Sequence, residues 1–197
     1  MSKTKVLLVV LFLLCGCAGR STPIPPTAPP SVAFEEAEVF AALVRNQFGA
    51  GQSLVIRAST STDAEGVANT EAMLQYVLKN THGLEADTVK NFRERNATTT
   101  LLASDMNLGV SYVLLNQGEL DQIFALNQDG WQVFFERYPN SPGLLSLSRV
   151  GFNARFDQAL VYLGIQSQWL NGSGHYFLLS EVKGSWSIDQ MVQTWIS

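Results

Sequence analysis

The strongest constraint on the fold lies in the last third of the chain, where four runs rich in β-branched, aromatic and aliphatic residues follow one another closely. They span residues 144–153, 157–167, 174–182 and 185–191. The turn candidates between them are residues 153–156, Asn171-Gly172 and Lys183-Gly184. These connections are too short for parallel pairing, which needs a crossover of about a dozen residues. The pattern therefore predicts an antiparallel β-meander of four consecutive strands.

Helical patterns dominate the chain before this meander. Apolar residues at spacings of three and four predict helices over residues 34–48, 85–95 and 119–124. A further helix is predicted to begin at a cap formed by Asn69 or Thr70 and to end at His82-Gly83. Two strands are predicted between these helices, over residues 53–59 and 108–114.

One predicted helix has a strongly aromatic face, which we expect to lie in the core. Its members recur at helical spacing before Pro139, where the helix ends: Trp131, Phe134, Phe135 and Tyr138. The predicted helices lie mainly in the first part of the chain and the meander strands in the last part. This order predicts an α+β fold, with N-terminal helices packed on a C-terminal antiparallel meander.

The first seventeen residues carry an export pattern. A short basic stretch precedes an apolar run over residues 6–14, which is well short of the roughly 20 residues that a membrane-spanning helix needs. The stretch 14–17, with sequence LCGC, resembles the lipobox of bacterial lipoproteins. The resemblance implies signal cleavage after Gly16 and lipidation of Cys17, and Ala18 favours the outer membrane where the host has one. The alternative is a signal peptide cleaved near Ala18 or Gly19, which would release a soluble protein.

A proline-rich stretch separates this leader from the rest of the chain. Residues 20–31 contain five prolines and no apolar periodicity, so they favour extended polyproline II of about 3.1 Å per residue. The sequence therefore predicts a signal peptide over residues 1–16, a tether over residues 17–33 and a single domain over residues 34–197.

Residue counts exclude several functional classes. The chain has 13 Lys and Arg against 17 Asp and Glu, and without Lys3 and Lys5 of the leader the 11 remaining basic residues give a charge of −6. No basic surface for nucleic acid is expected. Both cysteines lie in the leader and the chain has two histidines, which excludes disulfides, cysteine catalysis and a His-rich metal site. We assign no metal ligand and no cofactor, although a carboxylate site for a hard cation stays open.

Residues 131–197 contain distinctive stretches, which are SRVGFN at 148–153, DQALVY at 157–162, HYFLL at 175–179 and GSWSI at 184–188. In these stretches the chain is similar to a family of exported bacterial proteins that has no assigned activity. The resemblance implies a fold shared by envelope proteins and transfers no catalytic residue. The closing Gly-x-Trp-x-Ile pattern also resembles the last strands of cystatin-like and nuclear-transport-factor-like folds, which implies a curved sheet.

Arg149 is the first candidate for a functional side chain, because it lies inside an apolar run. Asp157 follows the next turn, so a tight hairpin would bring the two side chains together with Asn153 and Gln158. One interpretation is a polar pocket in which the guanidinium binds a carboxylate or phosphate. The alternative is that Arg149 bonds to Asp157, Glu119 or loop carbonyls and only holds the hairpin corner.

Trp169 and His175 are further candidates for ligand or partner contacts. Trp169 lies in the loop before Asn171-Gly172, where an exposed aromatic side chain would contact a protein or a glycan. His175 follows a Gly-Ser-Gly stretch, but the GxSxG pattern of serine hydrolases is absent. No residue is therefore assigned a catalytic role.

These features favour a non-enzymatic, lipid-anchored envelope protein that is held at the membrane through Cys17 and binds an envelope protein or polymer. Whether the chain is an enzyme stays open. One alternative is a hydrolase that acts on envelope material, with Arg149, Asp157 or His175 in its site. Another is a binder of a small apolar or anionic ligand within a curved sheet, which requires a cavity of roughly 300 Å³ or more beside that sheet.

Overall fold

A computed structural model describes residues 31–49, 51–61, 71–125 and 129–197. The helices are α1 (Val32–Gln47), α2 (Glu71–Asn80), α3 (Ala86–Arg95), α4 (Gln117–Ile123) and α5 (Gly130–Arg137). The strands are β1 (Leu54–Arg57), β2 (Tyr112–Leu115), β3 (Leu144–Leu147), β4 (Gly151–Phe152), β5 (Gln158–Gln168), β6 (Asn171–Val182) and β7 (Ser185–Ile196). Gly16, Cys17, residues 18–30 and the predicted cap at Asn69 or Thr70 lie outside the described residues.

Side-chain caps set the starts of three helices. The Ser31 hydroxyl accepts a hydrogen bond from Phe34 N at 3.2 Å, so α1 begins two residues earlier than its apolar spacing predicts. Asn116 and Glu119 form a reciprocal capping box at the start of α4. The Asp129 carboxylate accepts from the backbone of Trp131 and Gln132 at the start of α5. Each helix follows its predicted pattern closely because these contacts are local.

All seven strands belong to one mixed sheet with the order β2-β1-β3-β5-β6-β7, and β4 pairs with β5 beside β3. The meander β5-β6-β7 is antiparallel, as predicted. The first predicted run, 144–153, forms two strands, β3 and β4, and both pair antiparallel with β5. The sequence did not predict that β1 pairs in parallel with both β2 and β3. The fold is α+β, but its N-terminal strands join the same sheet as the C-terminal ones.

The predicted turn at Asn171-Gly172 was also displaced. The chain reverses at Trp169-Leu170, and both Asn171 and Gly172 belong to β6. Gln168 pairs with Asn171 across this tight turn, so β5 and β6 are each longer than the predicted runs. The turn at Lys183-Gly184 lies where it was predicted.

The sheet separates two helical layers. On one face, α1 packs through Val39, Phe40 and Leu43 onto strand residues that include Ile56 and Val161. Side chains alternate between the faces of a strand, so Val55, Leu144 and Tyr162 point to the other face. There α2 and α3 form one apolar cluster with β5, β6 and β7, while α4 and α5 form a second cluster with β1, β2 and β3.

The aromatic face of α5 lies in this second cluster, as predicted. Trp131 and Phe134 are buried, and Phe135 and Tyr138 pack against them half-buried. The two clusters cover different parts of the same sheet face, so a gap lies between them.

Candidate functional site

The gap between the two helical clusters is a cleft of about 540 Å³. Its floor is the sheet, and its walls come from α4, the β5–β6 turn and the end of β7. It is lined by Arg57, Ser61, Gln117, Leu144, Ser146, Tyr162, Gly164, Ile165, Gln166, Trp169, Trp195 and Ser197. The cleft falls within the range of roughly 300–1,000 Å³ that is typical of small-molecule sites.

A row of small residues across neighbouring strands opens the cleft. Ser146 pairs with Gly164, Gly164 pairs with Gly174, and Gly174 pairs with Trp195. Ile56 of β1 pairs with Leu145 of β3, so the next residues along these parallel strands, Arg57 and Ser146, lie opposite each other. Paired residues share a face, so the row runs from a cation through small residues to an aromatic side chain. The helices do not fill the space above Ser146 and Gly164.

A hydrogen-bonded aromatic pair closes one end of this row. The indole Nε1 of Trp195 donates to the Tyr162 hydroxyl at 2.8 Å. A Cβ atom on Gly174 would lie 2.0 Å from Trp195 Nε1 and 2.6 Å from Tyr162 Oη, so only glycine allows this arrangement. Burial raises the pKa of Tyr162, and the hydrogen bond from Trp195 opposes part of that effect. The phenol is therefore a neutral group at neutral pH.

The other end of the cleft is polar and lies at the carboxyl ends of two parallel strands. Arg57 is the last residue of β1, and Gln117 follows the end of β2. In sheets with parallel strands, ligands bind preferentially at this edge. Among the described residues that line the cleft, none is an aspartate or glutamate. Arg57 is the charged side chain among the described residues of the lining.

Trp169 also lines the cleft, where it takes part in an aromatic group with α5. Its ring lies 6.0 Å from that of Phe124 and 6.3 Å from that of Trp131, both in edge-on geometry. Even so, 63% of the residue is exposed. Trp169 is therefore held in place on one side and offers the remainder of its ring at the mouth of the cleft.

Arg149 lies elsewhere, in a network at the start of α1. Its guanidinium donates to the Glu36 carboxylate at 2.8 and 3.0 Å, and Arg95 donates to the same carboxylate at 2.9 Å. Glu36 also accepts from the backbone N–H of Val150. The expected pairing of Arg149 with Asp157 was wrong, because Glu36 is 113 residues away in sequence and only folding brings it there. The structural interpretation of Arg149 is favoured, with a partner that the sequence did not indicate.

Asn153, Asp157 and Gln158 meet as expected, at the β4–β5 turn. The Asn153 side-chain oxygen accepts from the backbone of Asp157 and Gln158 at 3.1 Å each. Arg155 donates to Asp157 at 2.8 Å and to Glu85 at 2.6 Å. Hydrogen bonds from Arg155 and Asn153 lower the pKa of Asp157. These contacts close the turn and join it to the start of α3.

His175 lies on the opposite face of the sheet from the cleft. It pairs with Leu163, and its ring lies 6.1 Å from that of Phe177, a residue of the α1 core. Partial burial lowers the pKa of its imidazole below the ordinary value of 6.5. The residues proposed for a hydrolase site, Arg149, Asp157 and His175, are thus divided among three environments and form no common centre.

The main residues of the cleft were missed at the sequence level. Arg57 stood in a predicted strand and Tyr162 in an apolar run, and Trp195 lay beyond the last predicted run, which ended at residue 191. Gly172 and Gly174 at alternate positions, together with Gly164, were a usable signal, because glycines on one side of a strand mark an open face.

Comparisons of the chain with protein-family models, with curated proteins and with solved structures found no match. No helix in the described part of the chain is long and apolar enough to span a membrane.

Proposed function

We propose that the protein is a non-enzymatic, lipid-anchored envelope protein of bacteria whose α+β domain binds a small ligand in the cleft between its helical pairs. The observation that carries the proposal is the cross-strand row of Arg57, Ser146 and Gly164, which leaves about 540 Å³ open beside the sheet. Lipidation of Cys17 after cleavage at Gly16 rests on the sequence pattern LCGC.

The place where the chain enters the domain supports this arrangement. Trp186, just after the β6–β7 turn, donates from Nε1 to Glu35 near the start of α1 at 2.9 Å. Gly174, at the cleft, lies seven residues from Glu181 along β6. At about 3.4 Å per residue that distance is roughly 24 Å. A tether joined to α1 would therefore attach far from the cleft and leave its mouth accessible.

The Gly-x-Trp-x-Ile pattern of the last strands resembles that of cystatin-like and nuclear-transport-factor-like folds, and this likeness favours a curved sheet beside the cleft. The similarity to a family of exported bacterial proteins agrees with an envelope location. An envelope polymer is a further candidate partner, since a polymer end or a single unit of it would fit a site of this size. Neither a metal nor a cofactor is needed for binding of this kind.

Thermal unfolding of the detergent-solubilised full-length protein, with a panel of sugars, sugar acids, amino acids, phosphates and fatty acids, would test the proposal. At least one compound should raise the Tm of the native protein, because a ligand that binds only the folded state stabilises it. Ser146→Phe should abolish that shift by filling the cleft. Ser187→Phe, on an exposed part of β7, should preserve it.

No Tm shift with any compound, or an equal shift in Ser146→Phe, would contradict binding in the cleft. The anchor is tested separately by the intact mass of the mature amino terminus. A diacyl or triacyl mass on Cys17 is expected, and an unmodified terminus would contradict lipidation.

A further inference from the structure

The lining of the cleft contains side chains that together select one chemical class of ligand. We propose that the cleft binds a saccharide unit that carries a carboxylate, and this inference rests on the proposed binding function. Three observations support it: the position of Arg57, the donors and acceptors on the floor, and the aromatic side chains at the mouth.

Arg57 is expected to bind the carboxylate. Its planar guanidinium has five N–H donors, and two of them can donate parallel hydrogen bonds to one carboxylate. The other donors can keep their contacts within the protein while a ligand is bound. No aspartate or glutamate stands among the described residues that line the cleft.

The floor is suited to hydroxyl groups. Gln117, Ser146 and Gln166 each both donate and accept hydrogen bonds, as sugar hydroxyls do. Tyr162 is 2% exposed, and its oxygen accepts from Trp195. Within the described part of the chain no acceptor is seen for its own O–H proton. A sugar oxygen at the cleft would supply that acceptor, whereas the hydrocarbon of a fatty acid would offer these polar side chains neither a donor nor an acceptor.

The size of the floor and its aromatic walls match a sugar ring. Arg57 and Gly164 lie two strands apart, which corresponds to about 10 Å at 4.8 Å per strand. A pyranose ring with one carboxylate spans that length. Trp169 presents a partly exposed ring at the mouth, and Trp195 presents a second one beside the floor. The apolar C–H face of a sugar packs well on such rings, as in other interfaces where aromatic side chains supply a rigid contact area.

Isothermal titration calorimetry of the detergent-solubilised full-length protein tests the proposal with four probes at equal ionic strength, namely D-glucuronate, D-glucose, acetate and inorganic phosphate. We expect D-glucuronate to bind at least tenfold more tightly than D-glucose, and acetate and phosphate to bind more weakly than D-glucuronate. Arg57→Gln should weaken D-glucuronate binding about 10- to 100-fold, as expected for the loss of a charge-assisted pair, and should leave D-glucose binding unchanged.

Two matched controls separate these contacts from general effects on the fold. Arg137→Gln makes the same charge change on an exposed part of α5 and should bind as the native protein does. Trp169→Ala should weaken both sugars, whereas Leu170→Ala, at the neighbouring position that is 84% exposed, should weaken neither.

Equal affinity for D-glucuronate and phosphate would overturn the saccharide class and leave the proposed binding function in place. Equal affinity for the two sugars, unchanged in Arg57→Gln, would overturn the role of the carboxylate. Absence of sugar binding would overturn this inference. The proposed function is contradicted by a further result. In that result, no compound of the wider panel produces a Tm shift that Ser146→Phe abolishes.

Discussion

Arg57 is the last residue of β1 and Arg149 lies in the loop between β3 and β4, and the surroundings of the two arginines differ. Arg149 meets a carboxylate that is shared with Arg95 and with a backbone N–H, and the Glu36 side chain at the centre is 11% exposed. Arg57 lies in an open cleft whose described lining has no acidic side chain.

The comparison shows that an arginine next to an apolar strand indicates a binding site only when its surroundings are known. Around Glu36 the hydrogen bonds join α1, the end of α3 and the loop before β4, so the network holds elements together. In the cleft, the small residues of the floor leave space that the side chains of the described residues do not fill. Four predictions test this division between a structural network and a binding site.

Glu36→Gln should cause the largest loss of stability. It removes the negative charge from between two partly buried guanidinium groups, which are 17% and 26% exposed. Breaking a buried ion pair by removal of one partner costs about 3 kcal/mol or more, so the free energy of unfolding in urea should fall by about that amount. Glu71→Gln breaks an exposed ion pair with Arg93 and is the control. This variant should change the free energy of unfolding very little. A loss no greater than that of the control would show that the network is not structural.

Gly174→Ala should disturb the wall of the cleft. The new Cβ would meet Trp195 Nε1 at 2.0 Å, so the indole must move and its hydrogen bond to Tyr162 must break. Overpacking of this kind costs about 1–3 kcal/mol, measured by urea unfolding. Ser173→Ala, one residue earlier and on the other face, should be close to neutral. Unchanged stability together with native near-ultraviolet circular dichroism would contradict the described position of Trp195.

Tyr162→Phe should have a smaller effect on the free energy of unfolding and should change how that free energy depends on pH. Loss of the hydroxyl leaves Trp195 Nε1 without its acceptor, at a cost of about 1 kcal/mol. Burial raises the pKa of Tyr162 in the folded protein above the value of 10.0 that it has when exposed. The unfolded chain therefore releases its proton first, and stability falls as the pH rises above 10.0. Urea unfolding between pH 8 and 11 should show a shallower fall in the variant, and an equal fall would contradict the burial of the phenol.

His175→Gln should give the smallest change, confined to acidic pH. Burial lowers the pKa of His175 in the folded protein below 6.5, so the unfolded chain takes up its proton first. Stability is fully present above pH 6.5 and is lost as the pH falls below that value. The variant should lose this part of the pH dependence and keep its ligand affinity, because His175 faces away from the cleft. A ligand affinity that changes as much as in Arg57→Gln would contradict that placement.

Local patterns in the sequence predicted much of the fold. The helical spacing over 85–95 and at Trp131 and Phe134 was confirmed because those contacts lie within a few residues or within one helix. The same holds for the turn at Lys183-Gly184. The predicted pairing of Arg149 with Asp157 was wrong for the converse reason. Proximity in the chain indicated a partner, while the actual partner, Glu36, comes from a distant helix.

The sequence by itself determined the kinds of elements, their approximate bounds, the antiparallel meander and the exclusion of cysteine chemistry, because periodicity, turn residues and composition are properties of short stretches. Tertiary structure alone decided that β1 and β2 join the sheet in parallel and that Arg57, Ser146, Gly164 and Trp195 share one row. Strand order and register depend on contacts between residues that are far apart in the chain. A cleft is the space that such contacts leave open. Glycines at alternate positions can mark an open strand face, but they do not show which distant side chains surround it.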